Sequence, residues 1–421
     1  MLTLIKHVPH FCLQNLGLYN ASKFPFLSSK SMNQQSWRPF FMVSLALCIG
    51  TIGTALASPL YPIYQQLWHL LPSHITYIFV AYMFGCMTTL LFLGRTSNSF
   101  GFIRTLQIGL LFAVIGLTLS VFASNTYYLG FGRFIIGIAS GLISTSAMLG
   151  LIYTIPNSHK QNAAQLSSII TVLGFGLGPF IGGAIAQFSD QPLVTPYIPV
   201  IIATSISLIS LFSIKTIRPE KQPFSIAPHL ELPEAQFKKQ FYIASFTAFC
   251  AFGSFSLFAS LAPSFIIDII PWHGPLISGA TIASILLVSA IVQFAAKSMD
   301  MHKALNAGLI LLISSYLILS ICMILDLGFI FFISVICVGM GHGMGLLAAF
   351  ALVHRMTNPD NCAAVVSTYL FIAYFGTIVP VIFAGYLSDH FGLITGVLGF
   401  CAGVGALCVY LLINHLKLKT T

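Results

Sequence analysis

The sequence predicts an all-α membrane protein of about twelve transmembrane helices, arranged as two pseudo-symmetric six-helix bundles, and three observations predict it. The first is composition. Hydrophobic residues make up 57% of the 421-residue chain, and Asp, Glu, Lys and Arg together only 6%. A soluble domain carries about 25% charged residues to keep its surface solvated. So few charges cannot cover a water-facing globule, but they suffice where most of the surface meets lipid. The second is a series of apolar runs of about 20 residues, the length that crosses a bilayer core of about 30 Å. The third is an echo between the two halves of the chain.

The runs fall at residues 39–62, 75–93, 103–123, 127–149, 165–186 and 197–214, then 241–267, 276–296, 304–324, 328–353, 365–387 and 393–415. They are too long and too uniformly apolar for the alternating strands of about 10 residues in a transmembrane barrel. Residues 1–36 mix Lys6, Lys23 and Lys30 with prolines and aromatics, without the apolar core and cleavage site of a signal peptide. They read as a disordered leader or a start-site artefact, with Met32 a second candidate start. Residues 37–214 form the expected first bundle, 215–240 a polar linker on the cytoplasmic side, and 241–421 the second bundle.

Basic residues mark the cytoplasmic side of a membrane protein. With the N-terminus inside, Arg38, Arg95, Arg104, Lys160, Lys215, Arg218, Lys221, Lys238, Lys239, Lys297, Lys303, Arg355, Lys417 and Lys419 all fall inside. Asp190, Asp268, Asp326 and Asp389 fall outside. Both termini are therefore expected in the cytoplasm, and a net charge of +9 reflects this partition rather than a nucleic-acid face. The nine cysteines sit mostly within apolar runs and show neither metal-ligand nor redox spacing, so no metal or cofactor is expected.

The echo has a register. Pro59 is answered by Pro263, and Gly137 and Gly141 by Gly341 and Gly345, all 204 residues on. Pro179 is answered by Pro380 after 201. Six spans return a chain to the side where it began, so these are parallel repeats about an axis along the membrane normal.

Several stretches resemble the major facilitator superfamily. Between spans 2 and 3 lie Gly94, Asn98, Gly101 and Arg104, similar to the family's loop signature, with Asn98 where the family carries an acid and Phe102 where an Arg is usual. The resemblance implies a conformational loop that latches the cytoplasmic ends of the halves. A short positive-inside loop is the plainer reading. Span 5 carries Gly174, Gly178, Pro179, Gly182 and Gly183, which resembles a signature of the exporter (drug antiporter-like) branches. Glycines four apart admit a close helix neighbour, and Pro179 frees a carbonyl and bends the helix. That makes the segment either a hinge between the halves or ordinary small-residue packing.

Span 4 holds Arg133, about 12 Å below its membrane surface and the sole lysine or arginine off the cytoplasmic side. A charge at that depth normally faces a wet cavity; snorkelling is the alternative. Tyr61 and Tyr64, at the Pro-x-x-Pro exit of span 1, are either substrate contacts or interfacial anchors. His342 in span 10 is a titratable group that either carries a proton or quietly bonds a carbonyl. Asp268 is a second coupling candidate if it lies deeper than its place at a span end.

The resemblance implies a secondary active transporter working by alternating access, with protons a candidate coupling ion and a small-molecule substrate bound between the halves. Arg133 and 37 Phe with 15 Tyr suit a small amphiphilic or anionic organic solute. An exporter in a bacterial inner (plasma) membrane, multi-pass and monomeric, is the leading expectation, and an uptake permease or facilitator the alternative. A membrane enzyme or receptor is remote: His354 with Asp360 is a poor catalytic pair, and no phosphate-binding glycine loop is present.

Overall fold

The computed structural model describes residues 37–94, 96–156, 159–160, 163–214, 228, 230–358 and 361–420. The leader (1–36), Arg95, most of the linker with Lys215, Arg218 and Lys221, Asp360 and the side chain of Asn98 lie outside the described residues. The described chain is all helical, with no strand, and twelve spans can be followed.

Helix α1 runs Arg38–Ala55, breaks at a 3-10 turn over Ser58–Leu60 and resumes as Tyr61–Leu67. Pro59 and Pro62, which lack an N–H and fix φ, account for the break. The next spans are α2 (Pro72–Leu93), α3 (Phe102–Val121), α4 (Thr126–Thr154), α5 (Ala163–Gln187) and α6 (Tyr197–Leu211). The second half repeats the pattern. Helix α7 (Lys238–Ser260) is broken at Leu261 and continues as Ala262–Ile269, with Pro263 in the role of Pro59. Helices α8 (Pro275–Ala295), α9 (Met301–Leu325), α10 (Gly328–Arg355), α11 (Cys362–Phe391) and α12 (Leu393–Thr420) follow.

Eleven spans are long and apolar enough to cross a membrane. Helix α6 is shorter than the expected 197–214: its 15 residues reach about 22 Å. Wide exposed aliphatic faces, such as Ile202, Ile206 and Ile209 on α6 or Leu317, Ile321 and Ile324 on α9, suit lipid contact.

Where α1 begins is here the N-terminal face, and the opposite end the distal face. Arg38, Arg104, Lys238, Lys239, Lys297, Lys303, Arg355 and Lys417 sit at span ends on the first; Asp190, Asp268, Asp326 and Asp389 sit on the second.

One apolar core lies within the first half, around Val43, Leu47, Leu110 and Ile143, and a larger one within the second, around Phe241, Leu312 and Val338. A third joins them, uniting Leu60, Tyr61 and Tyr82 with Ala259, Ile282 and Ile378. Across that junction α5 packs on α8 and α2 on α11, pairs exchanged by a twofold axis. On the distal side the halves also touch through polar groups. Ser264 Oγ donates to Gln65 Oε1 at 2.8 Å, and the Ser73 amide donates to Asp389 Oδ1 at 3.0 Å.

Candidate functional site

Arg133 is the most informative residue of the junction. Its side chain is 1% exposed, so it does not snorkel. Helix α4 carries it inward between Gly132 and Gly137, glycines that bring α3 and α2 close on either side. Nη1 donates to the carbonyl of Thr54 at 2.8 Å. That carbonyl belongs to the last turn of the first segment of α1, whose carbonyls have no helical partner. The guanidinium thus caps a helix C-terminus, where the macrodipole favours a cation. It also lies over the ring of Tyr82, 4.8 Å from the centroid, a desolvated cation–π contact worth about 2 kcal/mol.

These contacts offset only part of the cost of burying a full charge, which is several kcal/mol per ion. Arg133 has no carboxylate partner among the described residues, and its Nε is buried without an acceptor. No described Asp or Glu is buried anywhere. The site therefore holds an uncompensated positive charge.

Tyrosines surround it. Tyr61 and Tyr64 are 0% and 2% exposed. They sit in the continuation of α1 beyond its break, which turns their rings into the junction and rules out the interfacial-anchor reading. Tyr64 and Tyr197 share a hydrogen bond of 3.3 Å, and the Tyr61 hydroxyl is sealed without a partner. The guanidinium is close enough to act electrostatically on Tyr61, Tyr64, Tyr197 and Cys86. Tyr82 bonds Ser140 across α2 and α4 at 3.1 Å.

His342 lies on the wall of the other half, 6% exposed. It bonds a side chain, not the backbone carbonyl of the quiet reading: Ser289 Oγ is 2.9 Å from its Nδ1. Phe252 and Phe255 approach its ring at 6.0 and 6.1 Å. Arg133, Tyr61 and Tyr64 thus come together, with His342 across the junction from them.

Asp268 is not deeper than drawn. It is exposed in an open cleft of about 360 Å³ on the distal face, with Pro62, Gln65, Gln66, Ser264, Ile267 and Leu393. Among the described residues no three His, Cys, Asp or Glu gather as a metal site.

The span 5 glycines are contact surfaces. Gly178 and Gly182 face the carbonyls of Ile52 and Leu56 on α1, where an added Cβ would stand 2.6 and 2.5 Å away. Gly174 meets Thr51 and Cys48 on the same helix, while Gly183 turns the other way, onto Pro275 of α8. Gly279 of α8 returns the approach against the carbonyl of Pro179. The helix runs unbroken through Pro179. In the loop between α2 and α3, Gly94 ends α2, a short helix Thr96–Phe100 carries Asn98, and Gly101 starts α3 at φ 86°. Ser97 bonds Ser146 of α4 at 3.0 Å, and Arg104 is exposed.

Sequence reasoning missed Thr54, Tyr82, Tyr197 and Ser289. A backbone carbonyl leaves no mark in the sequence, and Tyr82 and Ser289 sit in apolar runs without a motif. Tyr197 shows only as an aromatic at a span start.

The model of the Major Facilitator Superfamily matches residues 43–381. Multidrug resistance protein 2 of Bacillus subtilis is 27% identical over 186 residues, 43% of this chain and 44% of that protein. The quinolone resistance protein of Staphylococcus aureus is 28% identical over 162 residues, 38% and 40% of the two chains. The riboflavin transporter of Clostridioides difficile is 21% identical over 179 residues, 42% and 38%. The chain thus spans less than half the length of each of these relatives. Among solved structures, a bacterial homologue of the human lysosomal transporter Spinster, inward-facing and unoccupied, superposes with a TM-score of 0.70 at 14% identity, covering 91% of this chain and 96% of that one. A human organic anion transporter gives 0.62 at 16%, covering 89% and 99%. With that family model spanning most of its length and its twelve helices arranged as in those neighbours, the chain belongs to the Major Facilitator Superfamily.

Proposed function

We propose that this transporter is a secondary active exporter of small amphiphilic organic anions, working as a monomer by alternating access in the bacterial inner membrane with both termini cytoplasmic. The family and the structural neighbours indicate a transporter rather than an enzyme. The observation that carries the cargo class is Arg133: a buried guanidinium with no carboxylate partner among the described residues, ringed by tyrosines, at the seam of the two halves. An anion entering the seam would gain the charge pairing that the protein itself leaves unmet. The resemblance of α5 to the exporter signature and the multidrug relatives support export. Basic residues gathered at one face support cytoplasmic termini. Rocking of one bundle against the other would use the close α5–α8 and α2–α11 seams as bearings. The loop of Gly94, Asn98, Gly101 and Arg104, lacking an acid, would act as a spacer between halves. An uptake direction is favoured by one observation, the riboflavin transporter among the relatives.

The test is transport in proteoliposomes of carboxyfluorescein, an amphiphilic anion, against rhodamine 6G, an amphiphilic cation, with and without an imposed proton gradient. Arg133→Ala should lower carboxyfluorescein transport at least about tenfold, the size of a lost charged hydrogen bond. Rhodamine transport should be spared. Because Arg133 also caps α1, thermal unfolding of each variant is measured alongside. Equal losses for both dyes, in a variant that stays folded, would refute the anionic cargo.

A further inference from the structure

The wall opposite Arg133 has its own polar logic. Gln293 Nε2 donates to Ser289 Oγ at 3.1 Å, and the Ser289 hydroxyl keeps a proton that it can give to Nδ1 of His342, 2.9 Å away. A histidine that accepts at Nδ1 carries its proton at Nε2 when neutral. The groups facing this ring are Ser289 and Gln293 of α8, Phe252 and Phe255 of α7 and, beyond Phe252, Tyr374 of α11. None is acidic. Among the described residues His342 Nε2 has no hydrogen-bond partner, and it is not one of the fully enclosed polar atoms left without one, which include Tyr61 OH and Arg133 Nε. His342 as a whole is 6% exposed, so Nε2 is the part of the ring that is not fully enclosed.

A series of packed rings joins the two polar ends. Arg133 lies over Tyr82, Tyr82 and Tyr374 are close enough to interact electrostatically, Tyr374 packs on Phe252 at 5.7 Å, and Phe252 on His342 at 6.0 Å. Each end carries ring or guanidinium nitrogens: Arg133 with an unpaired Nε in the first half, and His342 with Nε2 in the second.

We infer that His342 is a specificity-determining contact: a neutral Nε2–H donor, positioned by Ser289 and Gln293, that binds a second acceptor group on the cargo. Building on the anionic reading of Arg133, the cargo is then an aromatic-bodied organic anion with a hydrogen-bond acceptor remote from its charge. His342 reads the substrate and does not carry the coupling proton.

Two measurements test this. In the first, the protein labelled with 15N-histidine is studied in liposomes, and the His342 signals are identified by their loss in His342→Gln. A neutral ring protonated at Nε2 between about pH 5 and 8, whose Nε2 signal moves on adding carboxyfluorescein, is expected. A ring protonated at Nδ1, or one that gains charge in that range, overturns the inference. In the second, glutamine, whose amide nitrogen replaces Nε2, should keep the apparent KM for carboxyfluorescein within about threefold, while His342→Phe should raise it about tenfold. Ser289→Ala should fall between them. If His342→Gln binds normally but no longer responds to a proton gradient, the residue is a proton carrier and the inference fails. If the unaltered protein does not carry carboxyfluorescein at all, the anionic reading of Arg133 falls and the cargo assigned here falls with it; the nitrogen spectra still decide the tautomer.

Discussion

The two halves share a scaffold and differ in what they bury. In the first, Gly85 of α2 meets Gly137 of α4 almost backbone to backbone, and Gly174 of α5 meets Thr51 and Cys48 of α1. In the second, Gly343 of α10 meets Ser289 of α8, and Gly376 of α11 meets Phe249 of α7. The same helix pairs touch in the same way because a glycine at a crossing sets the distance between axes, and the rest of the bundle depends on that distance. The polar content does not follow the repeat. The first half buries a guanidinium among Tyr61, Tyr64, Tyr82 and Tyr197, the second an imidazole among phenylalanines. At 204 residues from Arg133 stands Cys337, and from Tyr61 the core residue Phe265. Ser289 stands where Gly85 is, so the one Cβ admitted at that crossing supplies the hydroxyl that holds His342. Packing is symmetric and chemistry is not.

The sharpest way to break this comparison is to enlarge equivalent glycines. Gly174→Val and Gly376→Val should each abolish recovery of monodisperse folded protein, because each added side chain meets a neighbouring helix's backbone. Gly130→Ala and Gly403→Ala, with open space around them, should keep or raise stability by about 0.5–1 kcal/mol. Size-exclusion profiles and thermal unfolding decide it, and a half that tolerates its valine would disprove the shared scaffold.

A middle-sized effect concerns the tyrosines peculiar to the first half. Tyr64→Phe or Tyr197→Phe leaves the other hydroxyl buried and unpaired, at about 1–3 kcal/mol each. The double variant should lose less than the sum. Additive losses in unfolding measurements would mean the pair contributes no coupling.

The smallest effect belongs to the distal seam. Asp389 accepts from the amide of Ser73 at the N-terminus of α2, where a carboxylate is worth about 0.3–1 kcal/mol. Asp389→Asn should shift the protein modestly toward a distally open state, seen as faster thiol labelling of a cysteine placed at Gln66. Unchanged labelling would remove Asp389 from the seam's energetics.

Much of the scaffold was legible in the chain. Span positions and the charge partition follow from properties that add up along a segment, whereas the glycine register does not carry over contact for contact: Gly137 meets Gly85 of α2, but Gly341 meets Leu312 of α9 and it is Gly343 that meets α8. The breaks at Pro59 and Pro263 were legible for the same reason: proline acts on its own helix. Helix α6 falls furthest short of its predicted end, because Phe212, Ser213 and Ile214 are apolar enough to extend a run and yet form turns past the helix end; α3 also stops two residues short of 123. The site was legible in part. Depth along α4 marked Arg133, but Tyr61 and Tyr64 admitted two readings, and Asp268 was a coupling candidate that proves exposed.

The sequence by itself determined the membrane fold, the number of spans and the repeat, since hydropathy and backbone sterics are local. Tertiary structure alone decided where each helix points its polar side chains. In a membrane helix the faces toward lipid and toward protein are both apolar, so no amphipathic stripe reveals its rotation. Arg133 finds Thr54 and Tyr82, and His342 finds Ser289, through crossings that bring together residues about 50 to 80 positions apart.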